Sequence, residues 1–441
     1  MNRRRFVSTA ASGVLASRAR SANDNVQIAV IGAGGMGSGD VRTALNIPGV
    51  RLIAASDLYT GRLTRAKEVW GSDLFTTRDY REVLARKDVD AVIIATPDHW
   101  HSRVTVDALN AGKDVYCQKP MVQKIEQGHD VVAAAKKSNR ILQVGSQYVS
   151  SAIYRKAREL YQQGAIGTVN MVEAWLDRNT ALGAWQYTIP ADASEETVDW
   201  ERFLGSAPKR PFEAKRFFRW RNYRDYGSGV AGDLFVHLFS GLHMVVDSIG
   251  PRSVYATGGL RYWNDGRDVP DVMAALIDYP ATSSHPAFTF AIRVNLKSSV
   301  SSERFGFRFV GSEGILNTGS TVTLEKPGPE TAPGYSIETF PKAEQERFLR
   351  EYRQKYPEGA KSSRNSEPET VYAPPQGYSA HTDHHQVFFD AVRSRKPVVE
   401  DAVFGLRAAG PALLCNESCD RGQSYGWDPA AMMSGPFVRR G

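Results

Sequence analysis

Cysteine is scarce: Cys117, Cys415 and Cys419 are the only three in 441 residues. Three cysteines cannot make a disulfide framework. Cys415 and Cys419 stand one helical turn apart and read as buried thiols. No run, that of the first residues included, is long and apolar enough to span a bilayer as a helix. Neither HExxH nor CxxC occurs, so no metal site is expected. Blocks of like charge are missing too. The net charge of +7 is scattered along the chain, which argues against a nucleic-acid partner. There is no internal repeat.

What remains is an ordinary globular composition, 42% hydrophobic and 23% charged, long enough for two or three domains. The amino terminus stands apart. Arg3-Arg4-Arg5-Phe6-Val7 precedes a weakly apolar run from Ser8 to Ala16, with small residues at Ala16, Ala19 and Ala22. Residues 1–22 read as an export signal of the twin-arginine kind or as a basic tail. The first reading implies a periplasmic or otherwise exported protein, carried out folded with its cofactor.

Val26–Ile31, Val50–Ser56, Asp90–Ala95, Asp114–Cys117 and Ile141–Val144 are short apolar runs separated by helical patterns. They predict a doubly wound parallel sheet over residues 23–147, a Rossmann domain. Residues 148–441 differ in texture. Val169–Asp177, Ser253–Gly259, Val272–Asp278, Phe288–Leu296 and Arg304–Val310 alternate, as strands of an open, mostly antiparallel sheet do. A helix is expected over Gly229–Ile249. Residues 325–378, rich in Pro, Gly, Ser and charge, read as an irregular excursion holding one helix, Lys342–Lys355. The fold class is α/β: a Rossmann domain followed by an α+β domain.

Gly32-Ala33-Gly34-Gly35-Met36-Gly37 follows the first strand and opens a helix. Gly32 permits the tight turn, Gly34 lets backbone approach a pyrophosphate, and Gly37 lets helix and strand pack closely. The phosphates would sit at the helix start, beside Gly35 and Met36. Asp57, twenty residues on, suits a ribose hydroxyl and repels a 2′-phosphate, which favours NAD over NADP. Arg62 blurs that preference. Thr96-Pro97-Asp98-His99-Trp100-His101 stands at the carboxyl end of a parallel strand, where ligands bind in such sheets. Thr96, Pro97, His99 and His101 are cofactor-cleft candidates, the histidines equally readable as a helix start. Gln147 is a further cleft candidate.

Lys119, before Pro120, leaves the next strand in the same direction. Beside a nicotinamide and partly desolvated, it could help move a substrate proton; the alternative is a surface lysine. Asp233 and His237 share a helical face. The aspartate could orient the histidine, or bind substrate beside it, for acid/base work; the alternative is a capping aspartate and a core histidine. His381-Thr382-Asp383-His384-His385 reads as a pocket rim or a helix start rather than a metal site. Arg216–Tyr223, alternately basic and aromatic, could stack sugar rings or form a domain contact. Arg178, Trp185, Tyr223 and His384 are substrate candidates.

Gly32–Gly37, Ala95–His101, Gln118-Lys119-Pro120 and Asp233–His237 together resemble the Gfo/Idh/MocA oxidoreductases. The resemblance runs from about Val26 to the carboxyl terminus. It implies oxidation or reduction of sugars, inositols and related polyols with NAD(P), and an open sheet face that builds homo-oligomers. The lysine of the family's EKP motif falls on Lys119, and the pair of its DxxxH motif on Asp233 and His237. One departure stands out: the family's glutamate before the lysine is Gln118 here, which alters the electrostatics around Lys119. Exported branches, the glucose–fructose oxidoreductases and the NAD-dependent glycosidases, keep their cofactor bound. Three readings follow: a sugar oxidoreductase with tightly held NAD, a redox-neutral glycoside hydrolase, and a non-catalytic sugar or nucleotide sensor.

Overall fold

The computed structural model describes residues 25–326, 336–355 and 368–437. The expected export signal, residues 1–22, lies outside them. The first unit alternates strands and helices: β1 (Val26–Ile31), α1 (Gly35–Leu45), β2 (Val50–Ser56), α2 (Thr60–Trp70), β3 (Phe75–Thr77), α3 (Tyr80–Ala85), β4 (Ala91–Ile94), α4 (Asp98–Asn110), β5 (Asp114–Cys117), α5 (Gln127–Ser138) and β6 (Leu142–Val144). The strand order β3-β2-β1-β4-β5-β6 is that of a Rossmann sheet, all parallel, with its switch point between β1 and β4. β4 and β5 are buried at every position because helices cover both faces.

The rest of the chain comprises α6 (Ala152–Gln162), β7 (Val169–Asp177), α7 (Trp200–Leu204), α8 (Ala214–Phe218), α9 (Val236–Val246), β8 (Ser253–Gly259), β9 (Val272–Tyr279), β10 (Phe288–Asn295), β11 (Arg304–Gly311), β12 (Ile315–Thr318), β13 (Val322–Glu325), α10 (Lys342–Lys355), β14 (Glu369–Tyr372), α11 (Ala380–Ser394), α12 (Ala402–Arg421), β15 (Tyr425–Asp428) and β16 (Met433–Gly435). The sheet order is β14-β13-β12-β11-β7-β10-β9-β8-β15-β16. All of its described pairs are antiparallel except β10 with β7. In β10 the alternation is clean: Phe288, Phe290, Ile292 and Val294 are buried, while Thr289 and Arg293 face out. On the outer face Tyr255 and Leu276 are exposed.

Three local features bear on these expectations. The helix after β4 starts at Asp98, because Pro97, at φ −59°, is compatible with a helix N-cap. The histidines of that motif therefore lie in a helical first turn. Among the described residues of 325–378, Glu369–Tyr372 form β14, which pairs with β13 and extends the sheet. Finally, the helix expected over Gly229–Ile249 is not uniform: Ala231–Phe235 forms a wider π turn that runs directly into α9. Such turns recur at functional sites.

Candidate active site

The glycine loop has the geometry its residues require. Gly32 adopts φ +94°, and a Cβ there would strike the Ala95 carbonyl. A Cβ on Gly37 would run into the Gly32 carbonyl, so α1 can rest on β1 only without one. Gly35 has open space where a Cβ would stand, and Gly34 at the N-cap provides no side-chain cap. The first N–H groups of α1 are thus free for an anion. Asp57 braces the loop from β2. Its Oδ2 accepts from the Ala33 N–H at 2.8 Å and its Oδ1 from the Tyr59 N–H at 2.9 Å. Arg62 approaches the same carboxylate at 3.4 Å and lies 5.6 and 5.5 Å from the ring centroids of Phe217 and Phe218.

A cavity of about 530 Å³ opens over this loop. Gly32, Gly34, Gly35, Met36, Asp57, Arg62, Thr96 and Pro97 form one wall. The other comes from the second unit, through Tyr187, Phe203, Phe217, Phe218, Trp220 and Arg221. That cover is tied down: Thr60 N–H donates to the Thr197 carbonyl at 2.9 Å and Asp199 N–H to that of Leu58 at 2.9 Å. The volume is in the range of a small-molecule site. The open backbone at Gly35, the bare helix start and the carboxylate at the end of β2 together fit a dinucleotide.

His99, His101 and Gln147 are not on the cavity wall. His99 lies between the carbonyls of Phe203, 2.7 Å from Nε2, and Tyr226, 3.3 Å from Nδ1. His101 lies between those of Pro120 and Thr96 at 2.7 and 2.8 Å. Both rings point into the packing of α4, where burial pushes His99 down to about 4. His101 joins the segments that follow β4 and β5, and His99 joins α4 to α7 and to the turn at Tyr226. Gln147 opens a 3₁₀ turn after β6.

Lys119, Asp233 and His237 are brought together, each buried. Lys119 Nζ donates to Asp233 Oδ1 and to the Asp233 carbonyl, both at 2.8 Å. Arg221 Nε donates to the same Oδ1 at 3.2 Å. The aspartate serves two cations, and it makes no hydrogen bond to His237. The expected role of orienting the imidazole is not what the geometry shows. The physical reason is charge: two buried cations claim Oδ1, and a neutral imidazole does not displace them. His237 instead meets the edge of Tyr148, ring centroids 5.6 Å apart, and its buried Nδ1 has no partner.

The electrostatics follow from burial and charge. Burial alone would raise Asp233, but Lys119, Arg221 and Arg178 outweigh it and hold the carboxyl far below its usual range. Burial lowers Lys119 against the pull of Asp233. Burial also lowers His237, and the Lys119 charge lowers it further, so the ring is neutral at pH 7. A neutral base, a cation and a carboxylate therefore stand together where the sheets meet. The cavity adjoins them through Arg221, since none of the three is on its wall.

The substrate candidates separate. Arg178, at the end of β7, pairs with Glu303 at 2.5 Å and contributes charge at Asp233 and His237. Trp185 is fully buried at φ +62°. Tyr223 is buried under Arg216, whose guanidinium carbon lies 4.2 Å from its ring centroid. His384 is locked between Ser150 Oγ and the Val144 carbonyl, both at 2.7 Å, and burial pushes it down to about 3. It joins α11 to β6 and does not face the cavity. His381 is the histidine of that motif whose charge reaches His237. Sequence reasoning missed Arg221 as a partner of Asp233, and also Tyr148. Only the basic-aromatic stretch around Arg221 carried a signal. Among the described residues there is no metal-binding group of three or more His, Cys, Asp or Glu, and no helix long and apolar enough to cross a membrane.

Two family models match nearly the whole of this arrangement. One, an oxidoreductase-family NAD-binding Rossmann fold, matches residues 26–146; the other, the C-terminal alpha/beta domain of the same family, matches residues 158–426. The chain belongs to the Gfo/Idh/MocA oxidoreductase family. As a Gfo/Idh/MocA protein it has an NAD-binding Rossmann domain and a mostly antiparallel second sheet. Inositol 2-dehydrogenase of Gluconacetobacter diazotrophicus is 30% identical over 158 residues, 35% of this chain and 47% of that protein. An uncharacterized oxidoreductase of Bacillus subtilis, YrbE, is 28% identical over 144 residues, 33% of this chain and 42% of its own. The matches thus span under half of those relatives. Among solved structures, levoglucosan dehydrogenase in complex with NADH superposes with a TM-score of 0.66 at 16% identity, covering 91% of this chain and 99% of that one. The WlbA dehydrogenase from Bordetella pertussis, in complex with NADH and UDP-GlcNAcA, gives 0.64 at 15%, covering 92% and 98%. These likenesses establish the shared fold of this Gfo/Idh/MocA protein.

Proposed function

We propose that the protein is an NAD-dependent dehydrogenase of a secondary hydroxyl on a sugar or related polyol. The observation that carries this is the Lys119–Asp233–Arg221 cluster beside a neutral His237 whose Nδ1 has no partner, adjoining the cavity over the glycine loop. NAD, held by the glycine loop and Asp57, supplies the hydride acceptor. His237 takes the hydroxyl proton as the carbon gives up its hydride. Lys119 donates a hydrogen bond to the same oxygen and stabilises the charge that develops there. Asp233 holds Lys119 in place, and Arg221 shares that carboxylate. Preference for NAD over NADP rests on Asp57, whose carboxylate repels a 2′-phosphate.

The aromatic cover from Phe203 to Trp220 favours a slowly exchanging cofactor. A retained cofactor also permits redox-neutral glycoside hydrolysis, in which the substrate is oxidised and re-reduced in one cycle. Export through the amino-terminal arginines and self-association through the open sheet, where Tyr255 and Leu276 are exposed, belong to the same proposal. The test is to incubate the purified protein with a panel of sugars, polyols and nitrophenyl glycosides, with and without added NAD. NADH formation from a polyol supports the dehydrogenase. Release of nitrophenol without added acceptor supports the hydrolase. Inertness towards the whole panel, with no nicotinamide nucleotide bound, contradicts both.

A further inference from the structure

Gln118 departs from the glutamate of the resembled motif, and its surroundings supply a reason. Its Nε2 donates to Asp40 Oδ2 at 2.8 Å. Both side chains are buried, Asp40 completely. A Cβ built on Gly145 would stand 3.1 Å from the Gln118 amide, so the amide is boxed in against α1. Asp40 belongs to the helix whose start forms the cofactor cradle, while Gln118 precedes Lys119. One hydrogen bond therefore joins the phosphate end of the site to the strand end that presents the lysine.

The far side of Asp40 is equally specific. Its Oδ1 has no hydrogen-bond partner and lies 3.7 Å from His385 Nε2, which has none either. His385 Nδ1 faces the His381 carbonyl at 3.0 Å, so Nδ1 carries the hydrogen and Nε2 the lone pair. Two acceptors face each other unless a proton lies between them. Burial pushes Asp40 up to about 7 and His385 down to about 4, which puts that proton on the carboxyl. The His381 imidazole lowers His385 further, and Tyr116 stacks on His385 at 4.5 Å. Burial holds its phenol protonated, and Asp40 adds to that. The groups form a chain from Gln118 through Asp40 and His385 to the His381 carbonyl.

We infer that Asp40 is a positioning residue for Lys119: it accepts from Gln118 in a pair whose donor and acceptor are reversed relative to a glutamate at position 118. A glutamate there would set a second carboxyl against Asp40, with no amide hydrogen between them, in a site closed to water. They would have to compete for a proton, and the turn carrying Lys119 would shift. Exchanging both residues restores one donor and one acceptor.

The experiment compares full-length Q118E, D40N and Q118E/D40N with the parent. Cooperative melts read folding, and quenching of tryptophan fluorescence reads NAD affinity. Competitive acetylation with acetic anhydride at a series of pH values, followed by mass spectrometry, reads the titration of the Lys119 amine. This last readout needs no substrate, so it stands apart from the dehydrogenase reading on which the role of Lys119 rests. Q118E is expected to shift the Lys119 profile and, on any substrate found, to lower turnover by about 10- to 100-fold. Q118E/D40N is expected to return both towards the parent. If Q118E does not fold, recovery of the melt together with a parental Lys119 profile in the double variant supports the pairing. An unchanged Lys119 profile in folded Q118E, or a double variant no closer to the parent than Q118E, overturns it.

Discussion

Asp233 carries two cations in a site nearly closed to water, and this changes what its replacement should do. Asp233→Asn leaves Lys119 and Arg221 buried without their anion. Loss of one partner of a buried ion pair costs about 3–5 kcal/mol, so the variant should melt well below the parent. A melt close to the parental one would mean that the cations find other partners. His237→Ala should fold and bind NAD but lose about 10²- to 10⁴-fold in turnover, the range for a general base. The pH profile has a defined sign. His237 is lowered from its ordinary 6.5, so it stays a competent base below pH 6.5, and activity is lost only as pH falls through the lowered value. Lys119 is lowered from 10.5, so the alkaline limb lies below the ordinary lysine range as its cation disappears. A measured acid limb above pH 6.5 would remove His237 from the role of base. Asp57→Ala removes the brace on Ala33 and Tyr59 along with the ribose acceptor. Hydrogen bonds to a charged group contribute about 1.5–3 kcal/mol, so NAD binding should weaken accordingly and discrimination against NADP should relax. Equal NAD affinities before and after would exclude Asp57 from that role.

At the scale of elements, the strands that carry the site were legible because their residues alternate or are buried throughout. β1 and its glycine loop could be read because Gly32 and Gly37 stand where a Cβ would strike backbone. The π turn could not be read, because Ala231–Phe235 has the same apolar pattern as the α-helix that follows. The pairing of Asp233 with Lys119 and Arg221 rather than with His237 was hidden too, because neither cation lies on its helix. The bracing roles of His99 and His101 were hidden for a related reason: their carbonyl partners at Phe203 and Tyr226, or Pro120, lie across the fold from them. The open sheet makes its own prediction. Leu276→Arg places a charge on its exposed face and should lower the molecular mass in light scattering if that face joins two copies. An unchanged mass with a parental melt would count against that contact.

Across the whole molecule, folding buries far more imidazole than it exposes. Burial lowers His99, His101, His237, His243, His384 and His385, while fewer acids, Asp40, Asp98 and Glu400 among them, are raised by the same burial. A base with a lowered folded pKa contributes stability that is fully present above its unfolded value near 6.5 and is lost as pH falls through the window below it. Raised acids run the other way but are outnumbered. The melting temperature should therefore drop on acidification from about pH 7 to pH 5, and a flat curve would mean that the histidines are solvated. The fold class and the convergence of Lys119, Asp233 and His237 were legible because each motif is local. Arg221 and the Asp40–Gln118 pair were not, because only the folded chain brings them to the site. In the proposed reaction His237 and Lys119 would abstract a hydroxyl proton, and the glycine loop and Asp57 would hold the NAD that supplies the hydride acceptor. It is tested most directly by following NADH formation on a polyol panel with the parent, His237→Ala and Lys119→Ala, each shown to be folded and to bind NAD. The parent should form NADH from at least one polyol, and each variant should lose about 10²- to 10⁴-fold. Parental rates in a folded, NAD-binding His237→Ala would contradict it.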